Sequence, residues 1–248
     1  MTVVAIINQK GGTGKTTTTI NLGSALTKLG QKVLLLDLDP QGNLSYSLGV
    51  NEFTHSMADV LLGEKALTEI LEEREGMQLA PANIHLADAE LSLASADERE
   101  SILSNALQLV EGFDFILIDC PPSLSVLTLN ALLASDKVII TMQMEVLSLQ
   151  GLDMIMQTIQ KVNKVFNKKI AVEGILPVMV DKRRKLIQEV REYIDENYDL
   201  HIFKSFIRNN VKASEAPSFG QSVIAYQPSA NSAVDYTAFA KEFLELNR

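Results

Sequence analysis

Lys10-Gly11-Gly12-Thr13-Gly14-Lys15-Thr16-Thr17 follows the apolar run Val3-Val4-Ala5-Ile6-Ile7 and precedes a helix-period segment from Thr16 to Leu29. A glycine-rich stretch where a strand turns into a helix is the setting of a phosphate-binding loop. Its three glycines let successive backbone N–H groups face one anion, and the helix that follows adds its positive end. In that reading Lys15 reaches the outer phosphates and the Thr16 hydroxyl ligates Mg²⁺. The general pattern, G-x-x-x-x-G-K-[ST], lacks its first glycine here: Gln9 stands in its place, with Lys10 beside it. The second lysine makes this the deviant form of the motif.

Two apolar runs end in acids. Val33-Leu34-Leu35-Leu36-Asp37 continues into Asp37-Leu38-Asp39-Pro40-Gln41-Gly42-Asn43, and Phe115-Ile116-Leu117-Ile118-Asp119 into Cys120-Pro121-Pro122. Such uninterrupted apolar strands belong to parallel sheets covered on both faces. Carboxylates at their C-terminal ends point into the crevice where open α/β sheets bind ligands. Asp37 and Asp39 suit Mg²⁺ and water positioning, and Asp119 closes a Walker B strand. The fold expected is therefore α/β, a mostly parallel twisted sheet flanked by helices on both faces, of the P-loop type.

At 248 residues, 46% of them apolar, the chain suits one large domain spanning 1–248. The early first strand argues against a signal peptide or an N-terminal helix-turn-helix extension. No run approaches the roughly 18 apolar residues of a membrane span, and the single Cys120 excludes a disulfide framework or a CxxC metal site. A cytosolic protein follows. The net charge of −9 is unevenly spread: residues 51–119 hold 15 acidic and 3 basic side chains, whereas 161–212 hold 12 basic and 7 acidic. A basic face on an acidic protein is thus available for an anionic partner.

From Asn51 to Glu111 the pattern reads as helical and acidic, broken by a short strand at Met77-Gln78-Leu79-Ala80. Glu72-Glu73-Arg74-Glu75 and Asp97-Glu98-Arg99-Glu100 read as solvated helix faces. His55 and His85 lack ligand-spaced partners and suit surface or capping roles. Cys120 reads as a small buried residue, and Met142, Met144, Met154 and Met156 as packing residues. A strand at Lys137–Thr141 and a helix from Ser148 to Phe166 continue the alternation.

Next come the strand Ile175–Asp181, which includes Met179, and then Lys182-Arg183-Arg184-Lys185 at the start of a helix ending near Tyr198. Four cations there oppose the helix dipole, at about 0.3–1 kcal/mol per charge, so contact with phosphates is the better reason for them. A strand at Ile202–Ile207 leads into a long polar loop, Arg208 to Gly220, that contains Asn210 and Lys212. An amphipathic helix from Ser232 to Leu246 carries Val234, Phe239, Phe243 and Leu244 on its apolar stripe; core packing explains it better than membrane anchoring.

Lys10–Thr17, Asp37–Asn43, Phe115–Ser123, Glu145–Leu152 and Ser214-Glu215-Ala216-Pro217-Ser218 with Gly220 together resemble, in order and over essentially the whole chain, the ParA/Soj family of DNA-partitioning ATPases. That family lies within the deviant Walker A group that also contains MinD and the nitrogenase iron protein. The resemblance implies ATP and Mg²⁺ as cofactors and an ATP-dependent homodimer in which Lys10 reaches the partner's phosphates and Gly11 lies at the seam. It implies catalytic roles for Lys10, Lys15 and Asp39, nucleotide contacts from Lys10 to Thr17, and Mg²⁺ partners in Thr16, Asp37 and Asp119. Met179, Asp181, Arg208 and Asn210 are the expected base-side residues.

The resemblance further implies non-specific double-stranded DNA as a partner, bound through Lys182, Arg183, Arg184, Lys185, Arg208 and Lys212, together with a ParB-like adaptor and nucleoid association. One departure stands out. Where the family usually has Ile-Pro-Arg-Asn, this chain has Ile207-Arg208-Asn209-Asn210, which loses a proline near the base and adds a cation. The alternatives are a MinD-like membrane-associated ATPase, for which a basic C-terminal amphipathic helix beyond the core is missing, and a ParA-like positioner of a protein assembly. An iron-protein role lacks its second cysteine, and a metabolic P-loop enzyme gives no reason for the basic surface.

Overall fold

The computed structural model describes residues 1–94, 96–181 and 186–247. In chain order the elements are β1 (Thr2–Ile7), α1 (Lys15–Lys28), β2 (Val33–Asp37), α2 (Asn43–Ser47), α3 (Met57–Leu61), a 3-10 turn (Leu67–Glu69), β3 (Glu72–Arg74), β4 (Met77–Ala80), α4 (His85–Leu93) and α5 (Ile102–Leu107). They continue with β5 (Phe115–Asp119), α6 (Val126–Ala134), β6 (Lys137–Met142), α7 (Val146–Phe166), β7 (Ala171–Pro177), α8 (Leu186–Asn197), α9 (Val211–Glu215), a 3-10 turn (Ala216–Phe219), α10 (Val223–Tyr226) and α11 (Asn231–Leu246).

The seven strands form one sheet in the order β3-β4-β2-β5-β1-β6-β7, parallel throughout except for the β3–β4 pair. Side chains alternate across it. In β1, Val4 and Ile6 face one core layer, with α1, α10 and α11, while Val3, Ala5 and Ile7 face the other, with α3 to α8. This two-sided burial is why β2 and β5 are apolar at every position before their terminal acids. Phe239 and Phe243 of α11 are fully buried, each contributing roughly 1.5–3 kcal/mol by leaving water.

Several expectations are corrected. Glu72–Arg74 is an edge strand and Glu75 its turn, with φ 52°, rather than a helix face; a charged, half-exposed strand at a sheet edge has no apolar alternation to read. Asp97–Glu100 is a turn between α4 and α5. β7 starts at Ala171 and stops at Pro177, so Met179–Asp181 lies beyond it. Ile202–Ile207 is not a regular strand: it lies beside β7 and the residues after it, with isolated bridges from Ile202 to Ile175 and from the next residue, Arg208, to Val180. The polar loop after it contains α9 and a 3-10 turn. Met154 and Val234 are about half exposed rather than packed. His55 and His85 pair with Asp59 and Asp88 on the surface, and Cys120 is buried.

Candidate nucleotide site

β1 is flanked by β5 on one side and β6 on the other, so the loop after it opens at the middle of the sheet's C-terminal edge. Gly12 and Gly14 have φ of 72° and 74°, the left-handed region that glycine enters without strain. Gly14 begins α1 with no side-chain cap and no acid in the first turn. The helix's first N–H groups are thereby left for an anion.

Lys10 and Lys15 have opposite surroundings. Lys15 is buried, and its Nζ donates to the Lys10 carbonyl at 3.3 Å, which also accepts from Thr13 Oγ1 at 3.1 Å. Burial lowers the Lys15 pKa, against the pull of Asp119, Cys120 and Asp39. Lys10 is exposed, and among the described residues its ammonium has no partner. A Cβ on Gly11 would meet nothing within 4 Å, so neither packing nor a left-handed backbone asks for glycine there.

Asn8 is a residue that the motif reading passed over. Its Nδ2 donates to the Thr141 carbonyl of β6 at 2.5 Å, and its Oδ1 accepts from the Lys10 N–H at 2.8 Å. It ties the loop's entrance to the neighbouring strand. A buried amide directly after an apolar strand was the available signal.

On the other side of the loop, Asp37 and Asp119 are paired residues of β2 and β5. Both are fully buried. Asp37 Oδ2 accepts from the Ser45 N–H and hydroxyl at 2.9 and 2.7 Å. Burial nevertheless pushes its pKa up to about 7, with the Asp39 charge adding to the shift and the Ser45 bonds opposing it. Burial raises Asp119 well above the ordinary carboxylate range; the Asp37 charge adds to this, while Thr16 and Lys15 oppose it. Neither Asp119 oxygen makes a hydrogen bond of proper geometry.

Two adjacent buried acids, Asp119 with both oxygens unsatisfied, beside the half-buried Thr16, form an environment that a divalent cation would relieve. Among the described residues no group of three or more His, Cys, Asp or Glu could hold a metal.

Asp39 is buried at the rim. Its N–H donates to Asp37 Oδ1 at 3.2 Å and its Oδ1 accepts from the Gln41 N–H at 3.0 Å. Gly42, with φ 62°, returns this loop to the sheet; a Cβ there would stand 2.5 Å from the Ala82 carbonyl oxygen.

The expected base-side and DNA residues do not form a single cluster of free groups. Met179, with φ 54°, is 42% exposed and touches Gln143 Nε2 through its sulfur at 2.8 Å. Asp181 is half-buried just beyond the Val180–Arg208 bridge. Asn210 caps α9, accepting from the Lys212 N–H at 2.8 Å. Arg208, expected as an added DNA cation, is instead paired with Asp235, its Nη2 and Nε donating at 2.7 and 2.9 Å. Lys212 pairs with Glu215 at 2.7 Å and lies over the Tyr226 ring. Lys182, Arg183, Arg184 and Lys185 lie outside the described residues.

A family model described as an AAA domain matches residues 1–172. The chain is 41% identical over 245 residues to the sporulation initiation inhibitor protein Soj of Bacillus subtilis, covering 97% of each chain. It is 38% identical over 253 residues to the chromosome partitioning protein ParA of Caulobacter vibrioides, covering 99% of this chain and 95% of that one. A solved structure of cobyrinic acid a,c-diamide synthase from Mycobacterium smegmatis, with an ATP analogue and magnesium bound, matches with a TM-score of 0.86 at 38% identity. That match covers 98% of this chain and 94% of the other.

Proposed function

Because the chain belongs to the ParA/Soj family of P-loop ATPases, we propose that it hydrolyses ATP with Mg²⁺, dimerises around ATP and positions a DNA cargo through non-specific DNA binding and a ParB-like adaptor. The observation that carries this reading is the contrast between its two loop lysines. Lys15 is buried against the site's acids, whereas Lys10 is exposed and has no hydrogen-bond or ion-pair partner for its ammonium among the described residues. A cation at the mouth of an anion cradle, next to a glycine with open space around it, is suited to meet a second subunit's nucleotide.

The chain's residues divide the work as follows. The loop's N–H groups and Lys15 hold the phosphates; Thr16 would ligate Mg²⁺, with Asp37 and Asp119 holding its waters. Mg²⁺, when bound, supplies positive charge to the phosphoryl oxygens. Asp39 orients the attacking water. Lys10 of a second copy adds positive charge where negative charge develops.

ATP-driven pairing doubles whatever basic surface each copy carries, which links DNA affinity to the nucleotide without a DNA site near the phosphates. The excess of cations in residues 161–212 supports that surface, as do the partitioning roles in the names of ParA and its kin. Sedimentation and gel-shift measurements test the proposal. Expected are a monomer with ADP, a dimer with ATP, and DNA binding that follows the dimer and weakens steeply with salt. Equal DNA affinity in both nucleotide states, or affinity insensitive to salt, overturns it.

A further inference from the structure

The Arg208–Asp235 pair has no role in the reading above, and it occupies an informative place. Asp37 and Asp119 stand on β2 and β5, to one side of β1; β6 and β7 stand on the other. Val178, just past β7, lies 4.0 Å from where a Cβ on Gly14 would be. The backbone on either side of it pairs with Ile207, through Ile207 N–H to the Pro177 carbonyl at 2.8 Å and Val180 N–H to the Ile207 carbonyl at 2.9 Å. A nucleotide with phosphates in the loop and its cation beside Asp37 and Asp119 has its nucleoside left to extend over this second side. Segment 207–210 would then be part of the wall that the nucleoside meets.

What holds that wall is Asp235. Its carboxylate, nine-tenths buried, accepts from three donors of one residue: the Arg208 backbone N–H at 3.0 Å, Nε at 2.9 Å and Nη2 at 2.7 Å. Arg208 Nη2 also reaches the Asn231 carbonyl at 3.3 Å. The next residue, Tyr236, is buried and shares a hydrogen bond with Thr18 of α1 at 3.1 Å, two residues beyond Thr16. The first turns of α11 thus join the nucleoside wall to the phosphate-binding helix.

Resting on the nucleotide reading above, we infer that Arg208 and Asp235 form a latch of positioning residues that sets segment 207–210 against the P-loop, so that Arg208 serves nucleoside recognition and not DNA. A bidentate pair suits this task because its planar geometry fixes both distance and angle. Where a proline would restrict the chain by its ring, the latch restricts it from outside, through a backbone N–H that proline lacks.

The test compares ATP with inorganic tripolyphosphate as ligands of the full chain, in Asp235→Asn, Arg208→Gln and the exchanged pair Arg208→Asp/Asp235→Arg. Tripolyphosphate needs the loop alone and reports whether the fold and cradle are intact. Expected is a loss of about tenfold in ATP affinity in each single variant, unchanged tripolyphosphate affinity, and partial recovery in the exchanged pair. The salt slope of DNA binding should be the same in Arg208→Gln as in the parent.

Equal losses for both ligands overturn the assignment, since the pair then serves general stability. So does a DNA salt slope reduced by about one in Arg208→Gln with ATP affinity unchanged, which returns Arg208 to the DNA surface. Parent protein that binds ATP no tighter than tripolyphosphate overturns the nucleotide reading itself, and this inference with it.

Discussion

Lys10 and Asp119 are the two residues at which the site is most exposed to test. Lys10 is exposed and its side chain makes no hydrogen bond or ion pair among the described residues, so Lys10→Ala should keep ATP affinity within about threefold and leave stability unchanged. Hydrolysis should fall by about 10²–10³-fold, the usual cost of removing a group that stabilises developing charge. Preserved turnover at dimer-forming concentration would refute the assignment.

Asp119 makes the opposite kind of prediction, one of stability. Its carboxyl, like that of Asp37, titrates higher in the folded chain than in the unfolded one, chiefly because it is buried. The folded state therefore holds more protons, and stability from these groups is greatest below the unfolded carboxylate range, then falls as pH rises toward about 7, the folded value for Asp37. Asp119→Asn should raise the nucleotide-free protein's stability at pH 8 by about 1–3 kcal/mol, and by less at pH 5, because the folded carboxyl holds its proton to higher pH than the unfolded one. Thermal or urea melts at the two pH values check this; an equal change at both would sink it. Added Mg²⁺ and ATP should narrow the gap at pH 8, because the cation offsets a buried charge that only the parent carries.

At the scale of elements, α1 is more than a phosphate helix. Thr18, Asn21, Ser24 and Lys28 follow one another on one face, and each bonds to the C-terminal segment: to Tyr236 OH at 3.1 Å, the Val223 N–H at 2.8 Å, Ser222 Oγ at 3.0 Å and the Ile224 carbonyl at 3.1 Å. Glu75, in the β3–β4 turn, accepts from the hydroxyls of Ser24 and Ser222 and from the Ser222 N–H. Three parts of the chain meet in this network, and its buried members Thr18, Asn21, Ser24 and Ser222 are costly to leave unpaired. Asn21→Leu should destabilise the fold by about 1–3 kcal/mol, because it strands the Val223 N–H. A chemical-denaturation midpoint like the parent's would remove the network's importance.

These elements were unequally legible. β2 and β5 were plain as apolar runs ended by acids, and α1 and α11 by their period. β3 and segment 202–207 were not. The first is charged and half-exposed at an edge, and the second follows β7 through a few backbone bonds without a regular ladder. Side-chain pattern reports which face of a strand is buried, and neither segment has the alternation that such burial imposes.

For the whole molecule, the question that the proposed function raises is how a protein of net charge −9 would engage DNA. With Arg208 and Lys212 each facing an acid, the DNA contact of the proposed function falls to the sequence cluster Lys182-Arg183-Arg184-Lys185. Replacing these four by glutamate should abolish measurable DNA binding by the ATP-bound protein while leaving ATP affinity and dimerisation intact. The parent's log affinity should fall linearly with log salt, with a slope of about −0.9 per phosphate contacted. DNA binding retained by the four-glutamate protein would move the contact elsewhere.

The sequence by itself determined the parallel sheet, the loop Lys10–Thr17 and the acids Asp37, Asp39 and Asp119, because each is written in neighbouring residues: an apolar run, a glycine-rich turn, an acid at a strand's end. Only the tertiary structure decided what restrains them. Asn8 meets Thr141 at a separation of 133 residues, Glu75 meets Ser222 at 147, and Arg208 meets Asp235 at 27. Local chemistry sets which residues can bind a phosphate or close a strand. Which donor a buried carboxylate finds depends on where the sheet order and helix packing bring distant chain together, and no spacing along the chain records that.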